Sequence, residues 1–593
     1  MRPSTAISRP GQSGFALLIT LVFLAIMLAA YSSLMYWVST NSHITKRNNL
    51  FNQTEGAAES ATESVLGAMM RDFNNQALNS AASYAAATNL PGSSSLTGSF
   101  LFSDTNGTAN ATSVNTLGAL GWSQLPLRYN GLYGWGQIWD IASTATPQNA
   151  GENLSATVEQ QVWFGSIPIF QFAIFYNMDL EINPGDTMTI NGKVHSNNTI
   201  WATGNSAAKP LTFSNLVDYV TGYSNTRSTN DPSTARSGNV VNILSGSPAL
   251  GQALSMPIGT NNDPSVVISV LGIPPVGIAP LSDAGQSYVY NQADLIVSNS
   301  AAGTNYVYYQ NFNASPSQSL VPMDVTNVIS GTTNYSYSFV TNVSFYDYRE
   351  AKTVKAVQLN VGKLNTWLTT SVSGQTLNSK NNSGSITKGH NINGVYVYNS
   401  VPSTPSQLPA VRVMNGQQLP AGGLSVASPF PVYVMGDYNT TTNGTTFSTT
   451  LGDTVNTRPA ALMGDAVTVL SSSWNDSTYT AGLDKSSRTP VSTTINAATL
   501  EGIVPSDGAH YSGGVENFLR LLENWSSATT LTYNGSIVVL FDSQYATGYW
   551  ANTDYYGVPS RRWGFDQKFN QQSGLPPMTP QVRRIIREYW SAR

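Results

Sequence analysis

Residues Phe15–Val38, FALLITLVFLAIMLAAYSSLMYWV, contain no charged residue, no Gly and no Pro. Those 24 residues in a helix reach about 36 Å at 1.5 Å each, more than the roughly 30 Å hydrocarbon core of a bilayer. A single apolar segment of that length satisfies its backbone in lipid only as a helix, so the run predicts a spanning helix. The preceding stretch MRPSTAISRPGQSG carries Arg2 and Arg9, which the positive-inside rule holds on the cytoplasmic face. The long remainder is then extracytoplasmic.

A cleavable secretory signal has a shorter apolar region, about 7–15 residues, and a small-residue cleavage site beyond it. Here the small-residue break lies before the apolar run, at Gly14-Phe15. That junction resembles the type IV prepilin (class III) signal. The resemblance implies that a membrane-embedded prepilin peptidase cuts after Gly14, that the new amino terminus on Phe15 is methylated, and that the helix stays on the mature subunit. The fifth mature residue of most major pilins is Glu, and here it is Ile19. In the family that carboxylate meets the terminal amine of a neighbouring subunit inside the apolar core, where an unpaired charge is costly. Minor subunits of the PilX and GspK type carry an apolar residue at this position, and the GspK type is placed at a filament tip. The bland alternative is a plain signal anchor with an accidental Gly14.

Beyond the span, Leu50-Phe51, Ala58, Ala61, Val65, Met69 and Phe73 recur at helical spacing, with Glu55, Glu59 and Glu63 at other positions. This predicts an amphipathic continuation whose apolar side packs on the globular part or on neighbouring subunits. AAESATESV also resembles the Ala- and Glu-rich stretch that follows the membrane helix in PilX-like proteins.

The surface is weakly charged. Only 10% of residues are Asp, Glu, Lys or Arg, against about 25% in an average globular protein, with Ser, Thr, Asn, Gln and Gly in their place. Loss of Arg2 and Arg9 takes the formal net charge from −4 to −6, which excludes a basic nucleic-acid-binding surface. Cysteine is absent, so no disulfide framework, thiol chemistry or Cys-ligated zinc is available. Stability must come from burial, and 12 Trp, 29 Tyr and 20 Phe supply the surface for it.

The expected organisation is a leader at 1–14, the membrane and amphipathic helix at 15–75, a linker with a small peripheral region at 76–159, a β-rich ectodomain with long loops at 160–500, and an α+β section at 501–593. In the clearest strand block, Met178, Leu180 and Ile182 alternate with Asp179, Glu181 and Asn183, predicting one buried and one solvated face. Turns at Asn183-Pro184-Gly185-Asp186 and Asn191-Gly192 separate the strands. Similar phrases at 389–400, 422–440 and 458–474 lack a strict period, which points to irregular coils of one β-solenoid or to a sandwich. The Ser/Asn-rich pieces at 224–239 and 371–385 read as exposed loops. Near the end, Val515, Phe518, Leu519, Leu522 and Trp525 mark one face of a short helix. Val582, Ile585, Ile586 and Tyr589 mark another, with Arg583, Arg584 and Arg587 opposite. FAIFYNMDLEINPGDTMTINGKVHSN, SPFPVYVMGDYN and the carboxy-terminal segments resemble a family of large bacterial envelope proteins with a PilX-type amino terminus, which implies no catalytic residues.

Catalytic signals are thin. His43, His195, His390 and His510 are isolated in sequence, and no HExxH, GxSxG or GxxxxGK[ST] pattern occurs. His195 is within reach of an acid–base pairing with Asp179 or Glu181, but a hydrogen-bonding role at a β turn is the stronger reading. Asp179, Glu181 and Asp186 lie close together, and Asp437, Asp453 and Asp465 each follow a Gly. Such oxygens suit Ca²⁺ or a glycosidase, yet Asp after Gly is foremost a turn former. Tyr308-Tyr309 and Tyr555-Tyr556 suit sugar stacking or, more simply, packing. No catalytic, metal or cofactor site is expected.

The reading is therefore a minor pilin or pseudopilin-like subunit, with no enzymatic activity. Its partners are the prepilin peptidase, other pilins or pseudopilins and the inner membrane, with no nucleic acid. The alternative is a membrane-tethered surface adhesin or glycan-binding protein. Gly14→Val leaves the precursor uncut at full mass in the inner membrane, whereas the natural protein shows N-methyl-Phe15 by terminal mass spectrometry. A Gly14→Val chain running at mature size contradicts the processing assignment.

Overall fold

The computed structural model describes residues 13–74, 80–86, 89–90, 99–125, 131–148, 154–233, 240–256, 258, 263–280, 282–311, 319–322, 339–369, 378, 390–447, 454–550 and 555–593. The leader to position 12, Asp453 and nearly all of 371–385 lie outside them. The fold is mainly β with one long amino-terminal helix, as the sequence predicts. It divides into two compact units, the first made of Met1–Ala119, Gln137–Phe164 and Ile585–Arg593, the second of Leu120–Gly136 and Gly165–Arg584.

In the first unit, α1 (Ser13–Asn74) runs unbroken for 62 residues. Its second half buries Ala57, Ala58, Ala61, Val65, Leu66, Ala68 and Met69, the face the periodicity marks. These lie against a sheet of β1 (Phe100–Ser103), β2 (Ser113–Gln124), β3 (Tyr133–Pro147), β4 (Ala156–Pro168) and the carboxy-terminal strand Gln581–Ala592. Alanines at 57, 58 and 61 let Phe100, Phe102, Ala145 and Val158 approach closely. The larger Val65, Leu66 and Met69 meet Val114, Trp139, Ile141, Val162 and Phe164. Burying each such side chain is worth about 1.5–3 kcal/mol.

The segment 100–147, within the region expected as linker and small periphery at 76–159, supplies three strands of this sheet. One sequence expectation is corrected here. The carboxy-terminal segment is a strand beside β4, not a helix, with Thr157 and Arg593 exchanging backbone hydrogen bonds of 2.7 and 2.9 Å. Its Val582, Ile585-Ile586 and Tyr589-Trp590 are β-favouring residues, and an available sheet edge outweighs the helical spacing.

The second unit is a β-solenoid, which settles the choice left open between solenoid and sandwich. One sheet runs its length and a second covers part of it. One stacks, in order, Ala249–Leu250, Val217–Tyr219, Val194–Ser196, Ile174–Tyr176, Ile537–Asp542, Ala498–Ile503, Ala460–Met463, Leu424–Ala427, Gly394–Tyr398 and Leu295–Asn299. All these pairings are parallel. The other stacks Val241–Ile243, Leu211–Phe213, Met188–Asn191, Ser560–Phe565, Thr530–Gly535 and Thr493–Asn496. The order is not that of the chain. Coils from 174 to 250 stack in one direction, the chain then crosses the first sheet, and coils from 295 to 542 return from the far end until Ile537 pairs with Ile174. The crossing segment is held to that sheet by Tyr396, which donates to the Leu271 carbonyl at 2.7 Å and meets Tyr290 edge to face.

Side-chain amides tie coil to coil. Asn439 and Asn496 donate to each other's backbone carbonyls at 2.8 and 3.0 Å, and Asn534 donates to Asn496 Oδ1 at 2.9 Å. In the first coils Asn197 donates to Asn177 Oδ1 at 2.9 Å. The segment 515–525 is a second correction: Val515–Asn517 is one 3₁₀ turn and Leu519–Leu521 a strand beside Val467–Leu470. Its Glu516, Arg520 and Glu523 are buried along with the apolar positions, so it has no solvated helix face.

Buried Glu523 accepts from Ser471 N at 2.6 Å and Ser471 Oγ at 2.7 Å, and its burial pushes the carboxyl up to about 7. The folded state therefore holds a proton that the unfolded state releases near pH 4.3, so this contribution is present below that pH and lost as pH rises through 7. The full loss is on the order of 3 kcal/mol. Burial raises Glu181, Asp465 and Glu501 in the same direction. The unfolding midpoint accordingly falls between pH 5 and 8, and Glu523→Gln flattens that fall; thermal unfolding of both proteins across this range checks it.

Candidate functional site

The first half of α1 is apolar on every side and exposed along its whole length, with Phe15 71% and Ile19 41% accessible. A helix hydrophobic all round belongs inside a membrane or a bundle of other helices. Thr20 returns its hydroxyl to the Ala16 and Leu17 carbonyls at 3.0 and 2.9 Å. Tyr36 and Trp37 close the apolar run, where aromatic residues mark a membrane boundary. Gly14 falls in the helix's first turn and Ile19 adds no charge to the run.

The second half is tied to its sheet by polar groups that flank the apolar stripe. Gln160 donates to Thr62 Oγ1 at 2.7 Å and to Glu63 Oε1 at 3.0 Å. Arg587 grips both oxygens of Glu63 at 2.7 Å, and Tyr84 donates to Asp72 at 2.8 Å. Phe73 meets Phe164 edge to face at 5.3 Å. One continuous helix thus carries an exposed apolar rod and a docked amphipathic segment.

The residues singled out for chemistry are scattered. His195 is fully buried, stacked on Phe175, with Nδ1 2.8 Å from Asp218 and Nε2 2.9 Å from Asn197; Asp218, not Asp179 or Glu181, is its partner. His390 lies 3.7 Å from Asp294, His510 stacks on Tyr549 beside Asp507, and His43 is on α1. Asp179 accepts from Thr199 N and Trp201 Nε1, Asp186 from Lys209, and Asp437 from Thr494 N. Asp465 gathers the backbone amides of Gln544, Tyr545 and Ala546. These acids join coils. Among the described residues no group of three or more His, Asp or Glu is placed to hold a metal ion. Tyr309, Tyr555 and Tyr556 are buried.

Glu181 and Asn183, read as solvated, are buried because the segment 503–516 covers their face. Ser506 and Ser512 donate to Glu181 Oε2 at 2.6 and 2.5 Å, while Asn183 N donates to Glu516 at 3.0 Å. Alternation alone gives no sign of a cover supplied more than 300 residues later.

No protein-family profile and no curated protein matches the chain. Among solved structures it is similar to the competence-associated pilin ComZ from Thermus thermophilus, at 8% identity and a TM-score of 0.26, over 92% of this chain and 97% of that one.

Met69 is fully buried at the centre of the α1–sheet contact, so Met69→Ala costs about 2–5 kcal/mol. The exposed Glu63–Arg587 pair contributes less than about 1 kcal/mol. Thermal unfolding of the detergent-solubilised variants Met69→Ala and Arg587→Ala ranks the two contacts.

Proposed function

We propose that the chain is a minor pilin-like or pseudopilin-like subunit of a type IV pilus or type II secretion-like filament. A prepilin peptidase cuts between Gly14 and Phe15, the helix waits in the inner membrane, and assembly then moves the subunit to a filament with its β domain outside. The observation that carries this reading is α1. Its exposed apolar rod matches both lipid and the core of a helical fibre, while its docked half holds the rod rigidly to a folded domain. The protein acts through assembly and surface contact.

Two features support a position at or near the tip. Ile19 offers no carboxylate to the amine of another subunit. A mature chain of 579 residues is also too bulky to repeat at every step of a thin fibre. Quantitative proteomics of sheared filaments finds one or a few copies per fibre, and immunogold labels an end. Uniform labelling of the shaft, or normal fibres in a deletion strain, favours the membrane-tethered adhesin instead.

A further inference from the structure

The third face of the solenoid is broken where the other two sheets are continuous. On one side lie Gly222–Ser224, Thr199–Ala202 and Leu180–Ile182; on the other lies a row of Val340–Asp347, Lys352–Asn360, Gln407–Met414, Val432–Met435, Val467–Leu470 and Leu519–Leu521. The segment 502–518 bridges the break and leaves a cavity of about 250 Å³. Its walls include Glu181, Asn198, Arg349, Asn517, Tyr176 and Phe518.

The polar walls are fixed from behind. Glu181 is 8% exposed and held by the two serine hydroxyls. Arg349 is 7% exposed, donating from Nε to the Gly548 carbonyl at 2.9 Å and from Nη2 to the Ser512 carbonyl at 3.5 Å. Asn517 is 4% exposed, its Nδ2 donating to the Gly513 carbonyl. Tyr176 and Phe518, with Val504 and Val515, give an apolar side.

We infer that this cavity binds one neutral sugar ring, free or at the end of a glycan. A carboxylate acceptor, a guanidinium donor and the exposed Asn198 amide match the mixed hydroxyls of a sugar edge, and the apolar side matches its C–H face. Opposite charges on the walls disfavour a charged ligand: an anion meets Glu181 and Asp179, a cation meets Arg349 and Arg520. The volume lies below the roughly 300 Å³ at which drug-sized pockets begin and suits a single ring. This inference goes beyond the assembly reading and does not rest on it.

The test uses the full chain in a non-glycosidic detergent, with saturation-transfer NMR and calorimetric titration of methyl glucoside, methyl galactoside, methyl mannoside and N-acetylglucosamine. At least one binds saturably in the millimolar range, and Glu181→Gln and Arg349→Lys each weaken it tenfold or more. Asn198 is exposed, so Asn198→Ala leaves the unfolding midpoint unchanged while weakening binding several-fold. A glycan array then separates free sugars from glycan ends. The inference is overturned if none of the four probes binds, if Asn198→Ala binds as the natural protein does, or if glucuronate, glucosamine, glycine or inorganic phosphate binds more tightly than every neutral sugar.

Discussion

The second unit depends on one pairing, Ile174–Tyr176 against Ile537–Val539. It places the first coil directly on the last. Met188–Asn191 repeats the junction in the second sheet, against Arg561–Gly564. Close in sequence to this seam the two ends of the coiled chain meet, Ile169 N donating to the Pro580 carbonyl at 3.2 Å. A solenoid wound in chain order has its termini at opposite ends of the stack; this one has them together in the middle. The broken third face follows, because two sheets can be spliced at a seam while the corner between them differs on either side.

Low charge on the outside goes with selective use of charge inside. Asp294 accepts two backbone amides, Asp465 three, and Glu350 pairs with Arg520 at 2.7 Å. Arg412 grips Asp476 through two bonds of 2.6 and 2.7 Å. Each satisfies donors that irregular coil corners strand away from water, where an unmet donor costs more than a met one gains. The asparagines do the same without charge. A composition that looks bland as a surface is therefore the material of the corners.

The helix was fully legible, because Phe15–Val38 and the Ala58, Ala61, Val65, Met69 stripe depend on local spacing alone. Strands at 174–202 were legible too, from alternation and Gly/Asn turns. Their repeat was present but unread: Asn177 and Asn197, Asp179 and Thr199, Asn183 and Thr203, and Gly185 and Asn205 bond at a separation of 20 residues. The period drifts to 23 at His195–Asp218 and then stretches, so a search for strict repetition passes over it. At 515–525 and 581–592 helical spacing misled, since a fully buried strand and an edge strand rich in Ile, Tyr and Trp present the same apolar positions. The seam and its cavity join residues more than 300 positions apart, and no local pattern carries that information.

Placing the first coil against the last also sets an order of events. A chain delivered amino terminus first can stack its coils from 174 to 250 at once, but the free side of Ile174–Tyr176 stays an unpaired parallel edge until Ile537 arrives some 360 residues later. Exposed strand edges recruit other edges, and contacts this distant form slowly. The newborn protein is thus most vulnerable to its own copies during the interval between those two strands, and the last part made is the part that ends it.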